Sequence, residues 1–280
     1  MVDVELDYVL PSPDLRAFLT LFYRFHAPAA VHDDVERAQQ AQLRFRLSPG
    51  AGAYHLPDGS RQDAPAAHLI GPTTGPVRAR AEGPLTVFGM GIPPTGWWAL
   101  VGGDASATRN RVVDATALLG AEGTAAVLAL REAGDVAAMA AVAEPLLRRR
   151  LRGGHEGALT FCTAVDAWLS GSPSPALDAL LDATRLSRRQ VERRCNALYG
   201  APPKLLARKY RALRAAVMMA SGETGGADGF YDQSHMIREV KQFTGLTPRR
   251  LRDAPGALAR ITIAQRRALV GQVHPIVSET

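Results

Sequence analysis

The chain is poor in cysteine, in aromatic residues and in long apolar runs, and each shortage excludes something. Its 280 residues hold two cysteines, Cys162 and Cys195. These are too few and too far apart for a disulfide framework or a CxxC-type zinc site. The start, MVDVELDYVL, is acidic and carries no basic-then-apolar leader, so a reducing, cytoplasmic setting is expected. No stretch approaches the roughly 18 uninterrupted apolar residues of a helical membrane span. No G-x-S-x-G elbow, phosphate loop or H-E-x-x-H occurs. His26, His32, His55 and His68 fall in the N-terminal part but lack the clustered H-x-H with a following carboxylate that a metal-dependent barrel enzyme needs. The sequence therefore predicts no enzyme, no metal and no cofactor. Cys162 and Cys195 both sit on apolar helical faces and read as core.

What remains is ordinary globular composition, 46% hydrophobic and 21% charged, at a length that suits two domains. The net charge of +6 hides an asymmetry. Between Ala176 and Ala254 stand 15 Lys+Arg and 8 Asp+Glu, a net of +7; the rest of the chain carries 18 and 19, a net of −1. All the excess positive charge lies in under a third of the sequence, which points to an anionic partner for that part.

The N-terminal part predicts β structure. In AQLRFRL, Leu43, Phe45 and Leu47 alternate with Arg44 and Arg46, the period of a half-buried strand. Asp58-Gly59 marks a hairpin turn, and Gly83-Pro84 splits two strands in PVRARAEGPLTVFGMGI. After Trp97-Trp98, a pair that packs a core or lines a pocket, the texture turns Ala- and Leu-rich. Helices are predicted over Val112–Leu119, Thr124–Glu132 and Val136–Leu151, the third capped by Asp135 and kinked by Pro145. Gly153-Gly154 centres a hinge. A further helix runs over Ala158–Leu169, and one helix around Ile263–Val270 is expected in the tail.

The basic part contains a repeat. LSRRQVERRCNALYGAPPK and YDQSHMIREVKQFTGLTPR overlay at a constant offset of 45 residues. Ser187 falls on Asp232, Val191 on Met236, Arg193 on Arg238, Cys195 on Val240, Leu198 on Phe243, Gly200 on Gly245 and Pro203 on Pro248. Two copies of one supersecondary unit follow. Ser187 and Gln190 form a capping box; Val191, Cys195 and Leu198 make a buried stripe; Gly200 stops the helix. Arg189, Glu192, Arg193 and Asn196 share the opposite face. In the second copy Asp232 caps, Met236, Ile237, Val240 and Phe243 face inward, and Gln233, Ser234, Arg238 and Lys241 face outward. A short helix with a packed back and an Arg/Gln/Ser front suits a DNA major groove. Between the copies, Lys204–Ala220 reads as one helix of about 25 Å, able to separate two such helices by something near one duplex turn of about 34 Å. Lys204, Arg208, Arg211 and Arg214 are expected to flank the DNA backbone.

These residues resemble the DNA-binding domain of the AraC family of bacterial transcription regulators. GFYDQSHMIREVKQFTGLTPRRL (229–251) is similar to the family's second helix-turn-helix and signature, and LSRRQVERR with YGAPPK to the first. LRFRLSPGAGAYHLPDG, HLIGPTT and PPTGWWALVG resemble the β-barrel sensory domains of one branch. The resemblance implies an α+β chain: a cupin-like β-barrel sensory domain (1–110), a helical dimerisation segment (111–154), an all-α double helix-turn-helix domain (155–254) and an extension (255–280). It implies a sequence-specific, effector-responsive regulator acting as a homodimer on double-stranded DNA, with RNA polymerase as a further partner. The residues expected at DNA are Ser187, Arg188, Arg189, Glu192, Arg193, Asn196, Lys204 and Arg208 in the first unit. Gln233, Ser234, His235, Arg238 and Lys241 are those of the second; His235, just inside the helix start, is expected to help cap and pack that helix rather than act as a base.

The chain departs from the family pattern in one long step. Only ETGGAD separates Gly222 from Gly229, where members carry two to three helical turns. Its two glycines disfavour helix by roughly 1 kcal/mol each, so one ragged turn is expected, leaving Met236 and Phe243 short of cover. Arg185 also stands where a turn glycine is usual. A second reading follows, in which DNA binding has decayed and the chain acts by forming heterodimers with intact relatives.

Overall fold

The computed structural model describes residues 4–223 and 226–253, and beyond them positions 262, 269, 273 and 276. Ten strands fill the N-terminal half: β1 (Glu5–Val9), β2 (Phe22–Ala27), β3 (Val31–Glu36), β4 (Ala41–Arg46), β5 (Gly52–His55), β6 (Arg61–Asp63), β7 (Ala67–Ile70), β8 (Val77–Glu82), β9 (Leu85–Ile92) and β10 (Val112–Asp114). They form two antiparallel sheets, ordered β1-β2-β9-β4-β7-β10 and β3-β8-β5-β6. Among the described residues no ladder joins the sheets. The expected barrel is therefore two facing sheets rather than a closed ring.

The alternation in β4 is present, yet the strand is not half-buried. It pairs with β9 on one side and β7 on the other. Leu43 and Phe45 enter the main core with Phe88, Met90 and the helical residues Leu130 and Leu147. Gln42 and Arg44, on the other face, line the space between the sheets and are buried too. A central strand covered on both faces has no solvent side. Burying Arg44 is tolerable because its partners are complete. Its two terminal nitrogens donate to the Glu36 carboxylate at 2.7 and 2.6 Å. Tyr23 and Tyr54 hydroxyls accept from it at 2.8 and 3.1 Å.

Among the described residues, ten α-helical segments complete the fold. α1 (Pro94–Gly96) meets the helices of the second half, while α2 (Thr116–Leu119), α3 (Ala121–Glu132) and α4 (Val136–Arg150) cover the outer face of the larger sheet. The helix expected over 112–119 is instead a strand and one helical turn: Val112 and Val113 pair with Ile70 and Leu69 at the sheet edge. An open strand edge beside two β-branched residues outweighed the Ala/Leu texture that follows. Asp135 caps α4 as expected, accepting from the Ala138 N–H at 2.8 Å. Trp97 is buried and donates to the Gly103 carbonyl, and Trp98 packs between two cores, so both serve packing.

Beyond the Gly153-Gly154 loop come α5 (Glu156–Ser170), α6 (Leu177–Thr184), α7 (Arg188–Tyr199), α8 (Pro203–Ala220), α9 (Gln233–Thr244) and α10 (Pro248–Asp253). α5 to α7 share a core of Phe161, Cys162, Val165, Leu180, Val191, Cys195 and Leu198. Burial pushes both thiols up to about 12, which leaves them unreactive. The helix expected at 263–270 and the 255–280 extension fall almost wholly outside the described residues.

Candidate nucleic-acid interface

α7 starts and stops where its sequence dictates. Ser187 Oγ accepts from the Gln190 N–H while Gln190 Oε1 accepts from the Ser187 N–H, closing the capping box. Gly200 ends the helix at φ +73°. Arg185, in the turn before α7, adopts φ 54° and ψ 29°, the left-handed conformation the turn demands. With Val191, Cys195 and Leu198 fixed in the core, Arg188, Arg189, Glu192 and Arg193 are left exposed on the far side.

α9 repeats the plan. Asp232 Oδ1 accepts from the His235 N–H at 2.6 Å, and Gly245 closes the helix at φ +75°. Met236, Val240 and Phe243 are buried; Gln233, Ser234, Arg238 and Lys241 are exposed. Both basic faces are thus open to solvent rather than packed on the β-half. Between α8 and α9, Gly222 and 226–229 form turns and no helix among the described residues, as the ETGGAD stretch predicts.

Several expected contacts are placed differently. Ile237, expected inward, is 37% exposed and shares the outer face with Gln233, Ser234 and Lys241 at helical spacing. His235 is half-buried. Its Nδ1 accepts from the Tyr231 N–H at 3.3 Å, its Nε2 lies 3.6 Å from Glu239, and its ring meets Phe230 edge-on. It belongs to the start of α9 rather than to the groove face. Asn196 folds back, donating to the Glu192 carbonyl at 2.9 Å.

The linker helix departs furthest from expectation. Lys204 is exposed, but Arg208 and Arg211 both grip the Glu239 carboxylate, at 2.6 and 2.8 Å. Arg208 also donates to Gln242 at 3.0 Å. Arg214 donates to the carbonyls of Leu169 and Ser172 at 2.7 and 3.0 Å. Three arginines expected at the DNA backbone therefore hold the domain together. The reason is Glu239, whose side chain is only 3% exposed; a carboxylate buried that deeply requires cations beside it. Burial pushes the Glu239 carboxyl up, but its hydrogen bonds to Arg211 and Arg208 hold it below the ordinary value. In the repeat Glu239 corresponds to Arg194, which lies over the Phe161 ring, so the overlay gave no hint of the exchange.

Lys209 was also missed. It is 5% exposed and donates to the carbonyls of Gln39 and Thr73 at 2.7 and 3.0 Å. Burial pulls its ammonium down to about 7. The sequence signal was its place on the Leu206 and Leu213 stripe, three and four residues away.

A helix-turn-helix domain profile matches residues 180–254. These residues are an AraC-type helix-turn-helix domain. The AraC-type domain makes the chain a DNA-binding transcription regulator. No curated protein is significantly similar to it in sequence. Among solved structures, ToxT from Vibrio cholerae is 9% identical with a TM-score of 0.43, covering 79% of this chain and 97% of that one. The AraC-like transcriptional activator CuxR is 11% identical with a TM-score of 0.32, covering 80% and 89%. A cupin domain from Bordetella pertussis Tohama I is 9% identical with a TM-score of 0.24, covering 32% and 94%. No helix among the described residues is long and apolar enough to cross a membrane.

Proposed function

We propose that this regulator reads two adjacent major-groove segments of double-stranded DNA, one with α7 and one with α9, and that the β-half adjusts how the two are presented. The observation that carries the reading is the exposure of both repeat faces while their backs are packed. Arg188, Arg189, Glu192 and Arg193 face one segment; Gln233, Ser234, Arg238 and Lys241 face the other, with Ser187 and Lys204 placed for phosphate. Arginine and glutamine supply bidentate readout of guanine and adenine, and Ile237 supplies an apolar surface for thymine methyls. The division into a sensory part, a helical α3–α4 hairpin used for homodimerisation and a DNA-binding part belongs to the same reading. So do contact with RNA polymerase and the absence of catalysis.

The effector site in this reading is the cavity of about 160 Å³ between the sheets. Leu6, Phe25 and Val87 supply apolar wall, and Leu213, Val217 and Leu246 of the DNA-binding half close it. One corner is polar. His68 Nδ1 donates to the Pro65 carbonyl at 2.7 Å, which leaves Nε2 to accept from Tyr54 at 3.0 Å, and Tyr54 in turn accepts from Arg44. Burial, with Arg44 nearby, holds His68 down to about 4, so it is neutral at pH 7. Arg46 Nε, buried and without a partner, offers a donor to an incoming acceptor. The lining supports a small molecule with an apolar body and a polar, hydrogen-bond-accepting head.

The test is fluorescence anisotropy of duplex DNA from the region upstream of the chain's own gene, titrated at several salt concentrations. A log–log salt slope of several units with sequence preference is expected. Arg193→Ala should cost about 1–3 kcal/mol and relax specificity at one position. Absence of binding at low salt would transfer support to the heterodimer reading.

A further inference from the structure

The first helix-turn-helix unit is complete, with α7 resting on α6 and α5. The second has no first helix among the described residues, so α9 should be under-supported. Yet Phe243, its last inward residue, is 0% exposed. The cover comes from α8 and from outside the domain: Phe243 packs with Ala212, Leu213 and Ala38. Ala38 lies between β3 and β4. Its N–H donates to the Phe243 carbonyl at 2.7 Å, satisfying one of the carbonyls a helix C-terminus leaves open.

A second segment of the β-half touches both recognition helices at equivalent points. It is the sequence Pro72-Thr73-Thr74-Gly75-Pro76, which joins β7 to β8. A Cβ built on Gly200, which ends α7, would lie 2.9 Å from Pro72 Cγ. One built on Gly245, which ends α9, would lie 3.1 Å from Pro76 Cβ and 3.0 Å from Val35 Cγ1. Gly200 and Gly245 are the same position of the repeat. The two stop glycines therefore seat on the two prolines of one short strap.

The strap is held from several sides. Asn110 accepts from the Thr74 N–H at 2.9 Å, donates to Thr74 Oγ1 at 2.8 Å, and donates its own N–H to the Pro72 carbonyl at 3.0 Å. Thr73 and Gln39 exchange bonds, with the Thr73 N–H to the Gln39 carbonyl at 3.0 Å and the Gln39 N–H to Thr73 Oγ1 at 2.9 Å. Lys209 of α8 then donates to the Gln39 and Thr73 carbonyls together. Each proline fixes its own φ, so the segment behaves as a stiff bar between the two helix ends.

We propose that the 72–76 strap, with Ala38 and Lys209, replaces the missing helix and sets the spacing of α9 relative to α7. These are positioning residues: they reach DNA only through α9. The β-half thereby becomes a structural part of the second reading unit. Movement of β7 or β8, whose His68 and Ala79 line the cavity, reaches the recognition helices through five residues. The packing claim stands on contacts alone; its consequence for DNA rests on the function proposed above.

The test uses the full chain carrying Pro72→Gly with Pro76→Gly, and separately Lys209→Met, which keeps the stem but removes the donor. Hydrogen exchange without DNA is read first. Amides of α9 should exchange about tenfold faster in both variants, while α7, which keeps α6 and α5, stays protected. Duplexes selected from a random library by the wild-type chain are then lengthened by one base pair between the two read segments. The wild type should lose about tenfold in affinity on that insertion, since its half-site spacing is geometric, and the strap variant less than about threefold. Unchanged exchange in α9, equal loosening of α7 and α9, or an unaltered spacing preference would each overturn the proposal. A wild-type chain that selects no duplex would refute the DNA reading, and the exchange ratio would still decide the packing claim.

Discussion

At the residue scale, Arg185 carries the conformational cost of the left-handed turn that ends α6. Its φ of 54° is a conformation that glycine adopts freely and arginine does not. Arg185→Gly should raise stability by roughly 0.5 kcal/mol, the relief of strain being partly offset by a more flexible unfolded chain; thermal unfolding at fixed concentration measures it. Ile237 is a residue whose role changed sides between sequence and structure. Periodicity placed it with Met236 and Val240, but a helix offers one inward stripe, and Met236, Val240 and Phe243 already fill it. If Ile237 meets a thymine methyl, replacing thymine by deoxyuridine in the bound duplex should weaken the wild-type chain about fourfold, the value of one buried carbon. Ile237→Ala should lose that discrimination. Equal sensitivity in both proteins would remove Ile237 from the interface.

At the scale of elements, α8 is where expectation and structure differ most. Its spacing of Arg208, Arg211 and Arg214 looked like a phosphate-facing edge. Those side chains instead fasten α9 and the end of α5, because Glu239 and two open carbonyls face them. Glu239→Gln should cost about 2 kcal/mol, because the amide keeps only one accepting oxygen and its NH2 faces an arginine donor, so one of the two buried arginine bonds is lost and the other loses its anionic partner. Urea unfolding would read it, and exchange would localise the loss to α9. Lys209 gives α8 a pH signature. Its folded value of about 7 lies below the ordinary 10.5, so between these two the unfolded chain binds the extra proton. Stability should therefore rise with pH across that window, and the penalty should be complete below pH 7. Lys209→Met should flatten the rise; the difference between the two unfolding curves from pH 7 to 10 isolates the contribution.

At the scale of the whole molecule, one chain carries its excess positive charge in one part and its cavity where the β-half meets the helical half. The AraC-type domain supplies Leu213, Val217, Leu246 and Leu251 to the cavity wall, while the sheets supply Arg44, Tyr54 and His68. In the function proposed above, a ligand there would touch both halves at once, so its differential affinity for two arrangements would become a coupling between effector and DNA. The Arg44–Glu36 pair is the polar floor of that site, with side chains 10% and 13% exposed. The sheets, the hairpin turns and most helices were legible because period, caps and stop glycines are local signals. The polar floor was not, since AQLRFRL reads as a strand with one wet face whether its arginines meet water or a second sheet.

The amino-acid order alone settled the repeat, the caps at Ser187 and Asp232, the glycine stops, the concentration of positive charge and the gap before Gly229. Each of these depends on neighbours within a few turns of one helix, where steric and hydrogen-bonding rules act without knowledge of the rest. Tertiary structure decided which arginines stay free, why Lys209 is buried, and what covers Phe243. Those outcomes turn on partners distant in the chain, from 28 residues for Arg211 and Glu239 to 170 for Lys209 and Gln39, and only the folded arrangement brings such groups within bonding distance.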